Sequence, residues 1–253
     1  MIAPPLCRLP IAEMTSVSSP AGALVLFSGG QDSTTCLAWA LDRYERVDTI
    51  GFNYGQRHAA ELEARLRILS RIGAISPRWE ARLGADHVLD IQSFGSIGET
   101  AMTQARAIEM TDRGYPSTFV PGRNLVFFTY AAAVADRRGL TDLVGGMGEA
   151  DYSGYPDCRR TTLDALETAL TLGVDRPLRI VTPLMNLSKA GVWALAASLG
   201  GEPLVDLIVE DSHTCYLGAR DRVGPGGRGC GRCPACQLRE GGYLEFRERS
   251  AQG

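Results

Sequence analysis

The feature that most constrains the fold is an apolar run of strand length that ends at two glycines and is followed at once by a helical pattern. Residues 23–27 read Ala-Leu-Val-Leu-Phe, residues 28–33 read Ser-Gly-Gly-Gln-Asp-Ser, and residues 34–41 have helical periodicity. Glycines allow a sharp turn that brings backbone N–H groups close to a ligand, and a helix start adds unpaired donors and partial positive charge. This order predicts a loop that binds an anion such as phosphate.

Strand-like and helix-like runs alternate along the rest of the chain. They are residues 47–53, 58–71, 124–138, 143–146, 163–172, 178–181 and 189–199. Such alternation predicts an α/β fold, a Rossmann-like parallel sheet with helices on both faces. Because ligands of these sheets bind at the carboxyl ends of the strands, we expect the loops at those ends to complete the site.

The composition narrows the class of protein. With 253 residues, of which 45% are hydrophobic and 22% charged, the chain is typical of a globular protein. A net charge of −3 and a pI of about 5.7, without a long Lys/Arg cluster, argue against nucleic-acid binding. No apolar run reaches the ~20 residues that cross a bilayer, and the first residues lack the pattern of a signal peptide. We expect a cytoplasmic protein with no nucleic-acid or membrane partner.

Polar residues crowd the ends of the predicted strands. After the second strand-like run, Gln56 and Arg57 suit contacts to a nucleotide or an anion, whereas His58 is more typical of a cap or a surface residue than of a general base. A Pro-Gly turn then precedes a helix that Asn124 can cap, which leaves Arg123 at the mouth of that helix. Arg123 can bind a phosphate or a carboxylate there, or pair at the surface.

A loop at residues 147–159 follows a third strand-like run and is dense in hydrogen-bonding groups. Its acids, tyrosines and arginine can bind a heterocycle by stacking and by edge hydrogen bonds, although a solvated loop is the alternative. A binding or packing role is more typical of Cys158 than a nucleophilic one, because no histidine stands near it in sequence. Cys36 falls on the apolar face of the first helix and is expected in the core.

Four cysteines near the end of the sequence predict a metal site. Cys230, Cys233 and Cys236 form a Cys-x2-Cys-x2-Cys motif, and Cys215 stands fifteen positions upstream of it. These thiolates can close a tetrahedral shell around zinc, which is the metal we expect, and an iron–sulfur cluster is the alternative. A shell of four thiolates leaves no open position for water, so the site should be structural.

The loop at residues 28–33 resembles the pyrophosphate loop of the N-type ATP pyrophosphatases, since it lacks the Walker lysine and the glycine spacing of the dinucleotide fingerprint. Over about residues 24–239 the chain is similar to one family of that superfamily, the 7-cyano-7-deazaguanine synthases of queuosine biosynthesis. The matching motifs are residues 27–36, 54–58, 119–124, 151–159, 182–185 and the four cysteines. Gly148, Asn186 and Ser188 differ from the residues common in that family.

The resemblance implies adenylation chemistry. The carboxylate of 7-carboxy-7-deazaguanine attacks the α-phosphorus of ATP, pyrophosphate leaves, and ammonia displaces AMP to give an amide. A second ATP then activates the amide, and loss of AMP leaves the nitrile. The resemblance also implies an adenine nucleotide alpha hydrolase-like domain at residues 21–205, preceded by a loose tail at 1–20 and followed by a zinc-binding segment at 206–253, in a homodimer.

The resemblance further implies roles for individual residues, together with Mg²⁺ bound with ATP. The residues expected to bind ATP are Leu26, Phe27, Ser28, Gly29, Gly30, Gln31, Asp32, Ser33, Thr34, Thr35 and Cys36. Those expected to act in catalysis, by holding pyrophosphate or Mg²⁺ or by balancing negative charge, are Asp32, Ser33, Arg123 and Lys189. Those expected to contact the substrate are Tyr54, Gln56, Arg57, Asn124, Asp151, Tyr152 and Asp157.

Other functions use the same motifs. A tRNA-thiolating enzyme shares the ATP loop and would use cysteines or an iron–sulfur centre to deliver sulfur. A relative that conjugates a deazaguanine to a protein would also need adenylation. A zinc-ribbon module on a nucleotide-sensing domain would bind ATP without turnover.

Overall fold

The fold is described by a computed structural model for residues 21–55, 60–97, 109, 112, 114–115, 117–149 and 155–252. The strands are β1 (Gly22–Leu26), β2 (Arg46–Asn53), β3 (Leu83–Asp90), β4 (Asp142–Val144), β5 (Arg179–Val181), β6 (Arg222–Gly224) and β7 (Gly227–Gly229). The helices are α1 (Gln31–Arg43), α2 (Ala60–Ile72), α3 (Pro77–Arg82), α4 (Gln92–Gly95), α5 (Arg123–Arg138), α6 (Arg160–Val174), α7 (Lys189–Asp211) and α8 (Pro234–Gln252). Two 3₁₀ turns cover Gly73–Ile75 and Pro156–Cys158.

The main sheet is parallel and has the strand order β3-β2-β1-β4-β5. Val25 at the centre of β1 pairs with Thr49 of β2 on one side and with Val144 of β4 on the other. The order reverses between β1 and β4, which is where open α/β sheets bind their ligands. The predicted α/β class with a parallel sheet is confirmed.

Side chains of the central strand alternate between two cores, as the two-residue period of a strand requires. Ala23 and Val25 belong to a core with α1, α7 and α8, whereas Leu24 and Leu26 belong to a core with α5 and α6. All five residues of β1 are buried. The uninterrupted apolar run seen in the sequence is therefore that of a strand covered by helices on both faces.

Two details of the predicted elements are wrong. Asn124 does not cap its helix, because α5 already begins at Arg123 and its N-cap is Gly122, with φ of +73°. The cap function comes from outside the helix, since the backbone N–H of Asn124 donates to Asp157 Oδ2 at 3.0 Å. The first helix likewise begins at Gln31 with Gly30 as its N-cap, ahead of Ser33.

Strand β3 was not predicted because it lies at the edge of the sheet. None of its residues is buried, and Gly84, Asp86 and His87 interrupt its apolar pattern. Pairing with β2 over most of its length holds it in place. An edge strand needs little apolar surface, so periodicity alone does not reveal it.

Helix α7 is long and apolar enough to cross a membrane by length and composition alone. It is interrupted at Gly201 and carries Pro203 just after that break, and nine of its residues are buried within the fold. It packs against α1, α2 and α8, which is how a core helix packs. The expected domain boundary between residues 205 and 206 falls within α7 and remains a prediction, and the expected tail at residues 1–20 lies outside the described part of the chain.

The packing predicts unequal effects for two leucines. Leu143 in β4 is fully buried, whereas Leu172 in α6 is 76% exposed. Leu143→Ala should lower the free energy of unfolding by about 2–5 kcal/mol, because it removes buried methyl groups and leaves a cavity. Leu172→Ala should change it by less than about 0.5 kcal/mol. Urea unfolding of both variants checks this, and equal losses would contradict the assigned core.

Candidate active site

One cavity of ≈ 290 Å³ opens at the carboxyl ends of β1, β2 and β4, at the point where the strand order reverses. Its lining combines the glycine loop, aromatic side chains and three charged groups. The lining residues are Leu26, Phe27, Ser28, Asp32, Ser33, Ile50, Phe52, Tyr54, Glu61, Arg123, Asn124, Phe127, Gly146, Met147, Gly148, Tyr155, Cys158 and Tyr216. The glycine loop and a hydrophobic wall therefore share one cavity.

The loop after β1 turns at Gly29, which has a φ of +83°. A Cβ at this position would lie 2.9 Å from the backbone oxygen of Glu61 and 2.8 Å from the backbone nitrogen of Arg65. Both the left-handed backbone and the contact with α2 therefore require glycine. The loop is pressed directly against the first turns of α2.

Hydrogen bonds of Ser33 fix the shape of the glycine loop. Ser33 Oγ accepts from the backbone N–H of Ser28 at 3.2 Å and donates to the carbonyl of Gly30 at 3.1 Å. The first backbone hydrogen bond of α1 runs from Thr34 to Gly30 at 3.0 Å, and no side chain caps the helix. The N–H groups of the first turn precede that bond, so they can donate to an anion.

Asp32 and Lys189 form an ion pair at the edge of the loop, with 2.7 Å between Lys189 Nζ and Asp32 Oδ2. In the part of the chain that the structure describes, Asp32 Oδ1 is buried and has no hydrogen-bond partner. A buried carboxylate oxygen without a partner is costly unless a ligand pairs with it. Since Mg²⁺ prefers oxygen ligands beside phosphates, Oδ1 is suited to bind this ion.

Arg123 is the positive charge of the cavity. Its guanidinium carbon lies 5.9 Å from the centre of the Tyr54 ring. Burial lowers the pKa of Arg123, but attraction to Tyr54, Asp157 and Glu61 outweighs it and raises the pKa above its usual range. The side chain is therefore a permanent cation and can attract a carboxylate or a phosphate.

Glu61 is the second carboxylate of the cavity. Its burial raises its pKa above the usual range, and the positive charge of Arg123 partly opposes that shift. It lies in the first turn of α2, where the helix dipole favours a negative charge. The cavity thus presents an acidic and a basic group that attract each other.

Aromatic rings form one wall of the cavity. Phe52 and Phe127 stack with 4.3 Å between ring centres, and Tyr54 lies tilted against Phe127 at 5.5 Å. Phe52 and Tyr54 come from β2 and the residue after it, whereas Phe127 comes from α5. Such a wall can stack on a planar heterocycle.

Some of the residues predicted to bind ATP line the cavity and others do not. Leu26, Phe27, Ser28, Asp32 and Ser33 line the cavity. The hydroxyls of Thr34 and Thr35 instead donate to carbonyls of their own helix, at 2.7 and 3.0 Å.

The remaining residues of the predicted loop are not lining residues of the cavity. Gln31 is buried at the start of α1, and Cys36 is fully buried in the core, as expected. Gly29 and Gly30 form the turn itself.

The residues predicted to contact the substrate also differ in whether they line the cavity. Tyr54 and Asn124 line the cavity together with Arg123. Asp157 is buried outside the lining and accepts the backbone N–H of Asn124. Gln56, Arg57, Asp151 and Tyr152 lie outside the described residues.

Several lining residues were not among the predicted site residues. Glu61 stands near the second strand end in the sequence, but only the packing of α2 against the loop brings it to the cavity. Tyr155 and Cys158 belong to the loop that was noted for its hydrogen-bonding groups. Tyr216 follows the first cysteine of the metal motif, and no signal in the sequence placed it here.

The four cysteines meet at one point between the end of α7 and the start of α8. Their sulfur atoms all lie within 4.8 Å of one another, and the Sγ atoms of Cys230 and Cys236 are 3.9 Å apart. Four sulfurs at about 2.3 Å from a shared ion lie roughly 3.8 Å apart, so the residues fit a tetrahedral metal. Hydrogen bonds from the thiols of Cys233 and Cys236 lower the pKa of Cys215, so one sulfur of the group readily becomes a thiolate.

A buried cation stands beside the cysteines. Arg239 is 4% exposed and donates to the carbonyl of Ile208 at 2.9 Å. Burial lowers its pKa to about 10, against the attraction of Cys236, and the side chain stays charged at neutral pH. Its charge offsets part of the negative charge of the thiolates.

The cysteine segment touches the phosphate loop. The backbone N–H of His213 donates to the carbonyl of Gly29 at 2.9 Å, and the His213 ring Nε2 lies 3.1 Å from the carbonyl oxygen of Cys215. His213 is 2% exposed. The first cysteine of the group is thus two residues from a hydrogen bond that holds the glycine turn.

The geometry predicts that metal content depends on the four cysteines alone. Cys233→Ser should lose the bound metal and much of the protein's solubility, because three thiolates leave the shell open. Cys158→Ser is the matched control, since Cys158 lies in the cavity and outside the cluster. Elemental analysis should find about one ion per chain in wild type and in the control. A fully metallated Cys233→Ser variant would refute the assignment.

The relatives that sequence comparison finds at high identity carry one name. A protein of Caulobacter vibrioides is 66% identical over 224 residues, which cover 88% of this chain and 93% of the relative, and it is named 7-cyano-7-deazaguanine synthase. Proteins of the same name from a Caulobacter sp. and from Azorhizobium caulinodans are 62% and 60% identical, over 94% and 89% of this chain and 94% and 93% of their own lengths.

A solved structure of a 4-thiouridine synthetase–RNA complex with bound ATP is more distant. It matches with 14% identity and a TM-score of 0.48, over 92% of this chain and 54% of that one, which is too distant to support an inference. The family model described as "Queuosine biosynthesis protein QueC" matches residues 22–247, a range that includes the phosphate loop and all four cysteines. This chain belongs to that family.

Proposed function

We infer that this chain converts 7-carboxy-7-deazaguanine and ammonia into 7-cyano-7-deazaguanine at the cost of ATP. The observation that carries the inference is the cavity in which an uncapped helix start and a glycine loop face an aromatic wall. The first part suits the phosphates of ATP and the second suits a planar base. Membership of the family and the names of the relatives support the same reaction.

In the first activation, a carboxylate oxygen of the substrate attacks the α-phosphorus of ATP and pyrophosphate leaves. We assign the departing pyrophosphate to the backbone N–H groups of Gly29 and Gly30 and to the hydroxyls of Ser28 and Ser33. Arg123 and Lys189 balance the negative charge that grows as the bond to pyrophosphate breaks. Because these groups are already in place, little reorganisation is needed during the reaction.

The second activation repeats the first on an amide. Ammonia attacks the acyl carbon of the adenylate, and AMP leaves with the first carboxylate oxygen. The amide oxygen then attacks the α-phosphorus of a second ATP, so that pyrophosphate leaves and the amide nitrogen loses one proton. AMP then leaves with the remaining oxygen and the nitrogen loses its second proton, which gives the nitrile. The same loop serves both steps, so the base must keep its place while the nucleotide is exchanged.

Asp32 and the four cysteines suit two different metal ions, and the two ions would have different roles. We propose Mg²⁺ at Asp32, where it would neutralise the phosphates of bound ATP. We propose zinc at the four cysteines, where it would join the end of α7 to the start of α8. Asp32 Oδ1 and the compact group of sulfurs support these assignments. A homodimer, a cytoplasmic location and ammonia as the nitrogen source are further parts of the proposal.

The identity of the structural metal has a direct check. Purified protein should be colourless and should contain zinc, because four thiolates at this spacing suit that ion. Elemental analysis with an absorption spectrum measures both properties. A brown protein that contains iron and inorganic sulfide would contradict zinc and would favour an iron–sulfur cluster.

Turnover tests the proposed reaction. Protein supplied with 7-carboxy-7-deazaguanine, ATP and ammonium should form the amide and then the nitrile by mass spectrometry, with two AMP released per nitrile. Asp32→Asn should lower kcat by about 100-fold or more, because it removes the charge proposed to hold Mg²⁺ and to pair with Lys189.

Asp42→Asn is the matched control for this variant. Asp42 lies near the opposite end of α1 and pairs with Arg43 and Arg78, so its loss should leave turnover within about twofold. Release of ADP in place of AMP would contradict adenylation. Full activity of Asp32→Asn would contradict its assigned role.

A further inference from the structure

Within the described residues, the cavity lining contains two carboxylates, those of Asp32 and Glu61. Asp32 lies on the phosphate loop and is paired with Lys189. Among the described residues, the ion pairs of α2 run from Arg65, Arg67 and Arg71, and they involve Glu63 but not Glu61. Glu61 is therefore a carboxylate of the cavity lining that no ion pair among the described residues engages.

The position of Glu61 is fixed by the packing of its backbone. Its carbonyl oxygen lies against Gly29, close enough to exclude a Cβ there. Ala64, one turn later in the same helix, is fully buried. A helix held this closely fixes the backbone position of Glu61, whose side chain lines the cavity.

A carboxylate in such a place selects the kind of group that it binds. It accepts hydrogen bonds and cannot donate them. Burial of the group raises its pKa and Arg123 lowers it, so the charged form gains most from a ligand that supplies two donors side by side. Two donors placed side by side would satisfy both of its acceptor oxygens at once.

The bases of the two substrates, the deazaguanine and the adenine of ATP, present different hydrogen-bonding groups to a carboxylate. A 2-aminopyrimidin-4-one ring, as in a deazaguanine, presents its N1–H and one hydrogen of its 2-amino group in parallel. Adenine presents a donor next to an acceptor, and that acceptor would face a carboxylate oxygen without a hydrogen between them. Glu61 therefore matches the deazaguanine and not the base of ATP.

We propose that Glu61 is a substrate-binding residue that accepts the N1–H and 2-amino hydrogens of the deazaguanine ring and selects a 2-aminopyrimidinone over a ring without the amino group. This inference rests on the proposed function and specifies how the same cavity recognises its substrate. In that pose the base stacks near Tyr54 and Phe127. The carboxylate on the five-membered ring points away from the 2-amino group and stays available to ATP and Arg123.

The experiment compares Glu61→Gln with Glu63→Gln. Glutamine keeps the shape but replaces one acceptor oxygen by an NH₂ group that faces a ligand donor. Glu61→Gln should raise KM for 7-carboxy-7-deazaguanine by about 10- to 100-fold and leave KM for ATP, KM for ammonium and the Mg²⁺ dependence within about twofold. Glu63→Gln, two residues away, exposed and paired with Arg67, should leave all of them unchanged.

A substrate analogue without the 2-amino group gives an independent readout. Wild type should use this analogue about 10- to 100-fold less well in kcat/KM, because one oxygen of Glu61 loses its donor. In Glu61→Gln the same change should cost about threefold or less, since the contact is already broken. A residue with a merely structural role would not change the ratio between two substrates.

Several results would overturn the inference while leaving the proposed function intact. They are a higher KM for ATP or a shifted Mg²⁺ dependence in Glu61→Gln, a higher KM for ammonium alone, or equal use of both bases by wild type. A loss of thermal stability with both substrates affected equally would make Glu61 structural. If wild type forms no nitrile at all, the proposed function fails, and direct binding of the two bases to wild type then tests Glu61 by itself.

Discussion

The cavity depends on the close contact between the left-handed turn at Gly29 and the backbone of α2. Because this residue has no side chain, the loop can lie directly on the first turns of α2, and that packing sets the distance between β1 and the helix. The loop thereby exposes the N–H groups of α1, while α2 presents Glu61 at the same opening. A side chain at Gly29 would separate the two, so one residue positions both the phosphate site and the carboxylate that faces it.

The cavity collects residues from distant parts of the chain, and the parallel sheet is the reason. Strand ends that lie side by side in the sheet are separated in sequence by whole helices, yet their loops meet at one edge. The aromatic wall joins β2 to α5, Lys189 reaches Asp32 from the start of α7, and Tyr216 comes from the segment of the cysteines. The lining residues come from several elements, so no single loop contains the site.

Features that depend on neighbouring residues in the sequence could be predicted, whereas features that depend on the packing of distant segments could not. The strand, the glycine turn and the helix follow one another directly, and the cysteines are spaced as ligands of one ion, so both features could be seen without the fold. The cap of α5 could not, because the carboxylate of Asp157, which is 33 residues away in the sequence, accepts the backbone N–H of Asn124 in place of a side chain at the helix start. Nor could the place of Tyr216, since the path of the chain after α7 is set by contacts of His213 with the loop. The edge strand β3 was missed because exposure removed the periodicity that marks a buried strand.

The hydrogen bond from His213 to Gly29 joins the cysteine segment to the nucleotide loop, and binding energies that share an element are reciprocal. Whatever affinity for ATP the chain gains when the ion fixes this segment, the ion gains in turn when ATP fixes the loop. Exchange of the ion should then slow in the presence of nucleotide, and an apoprotein would bind nucleotide less tightly by the same factor. In a cell, a change in the supply of the metal would therefore change how tightly this chain binds ATP, and a change in the supply of ATP would change how tightly it holds the metal.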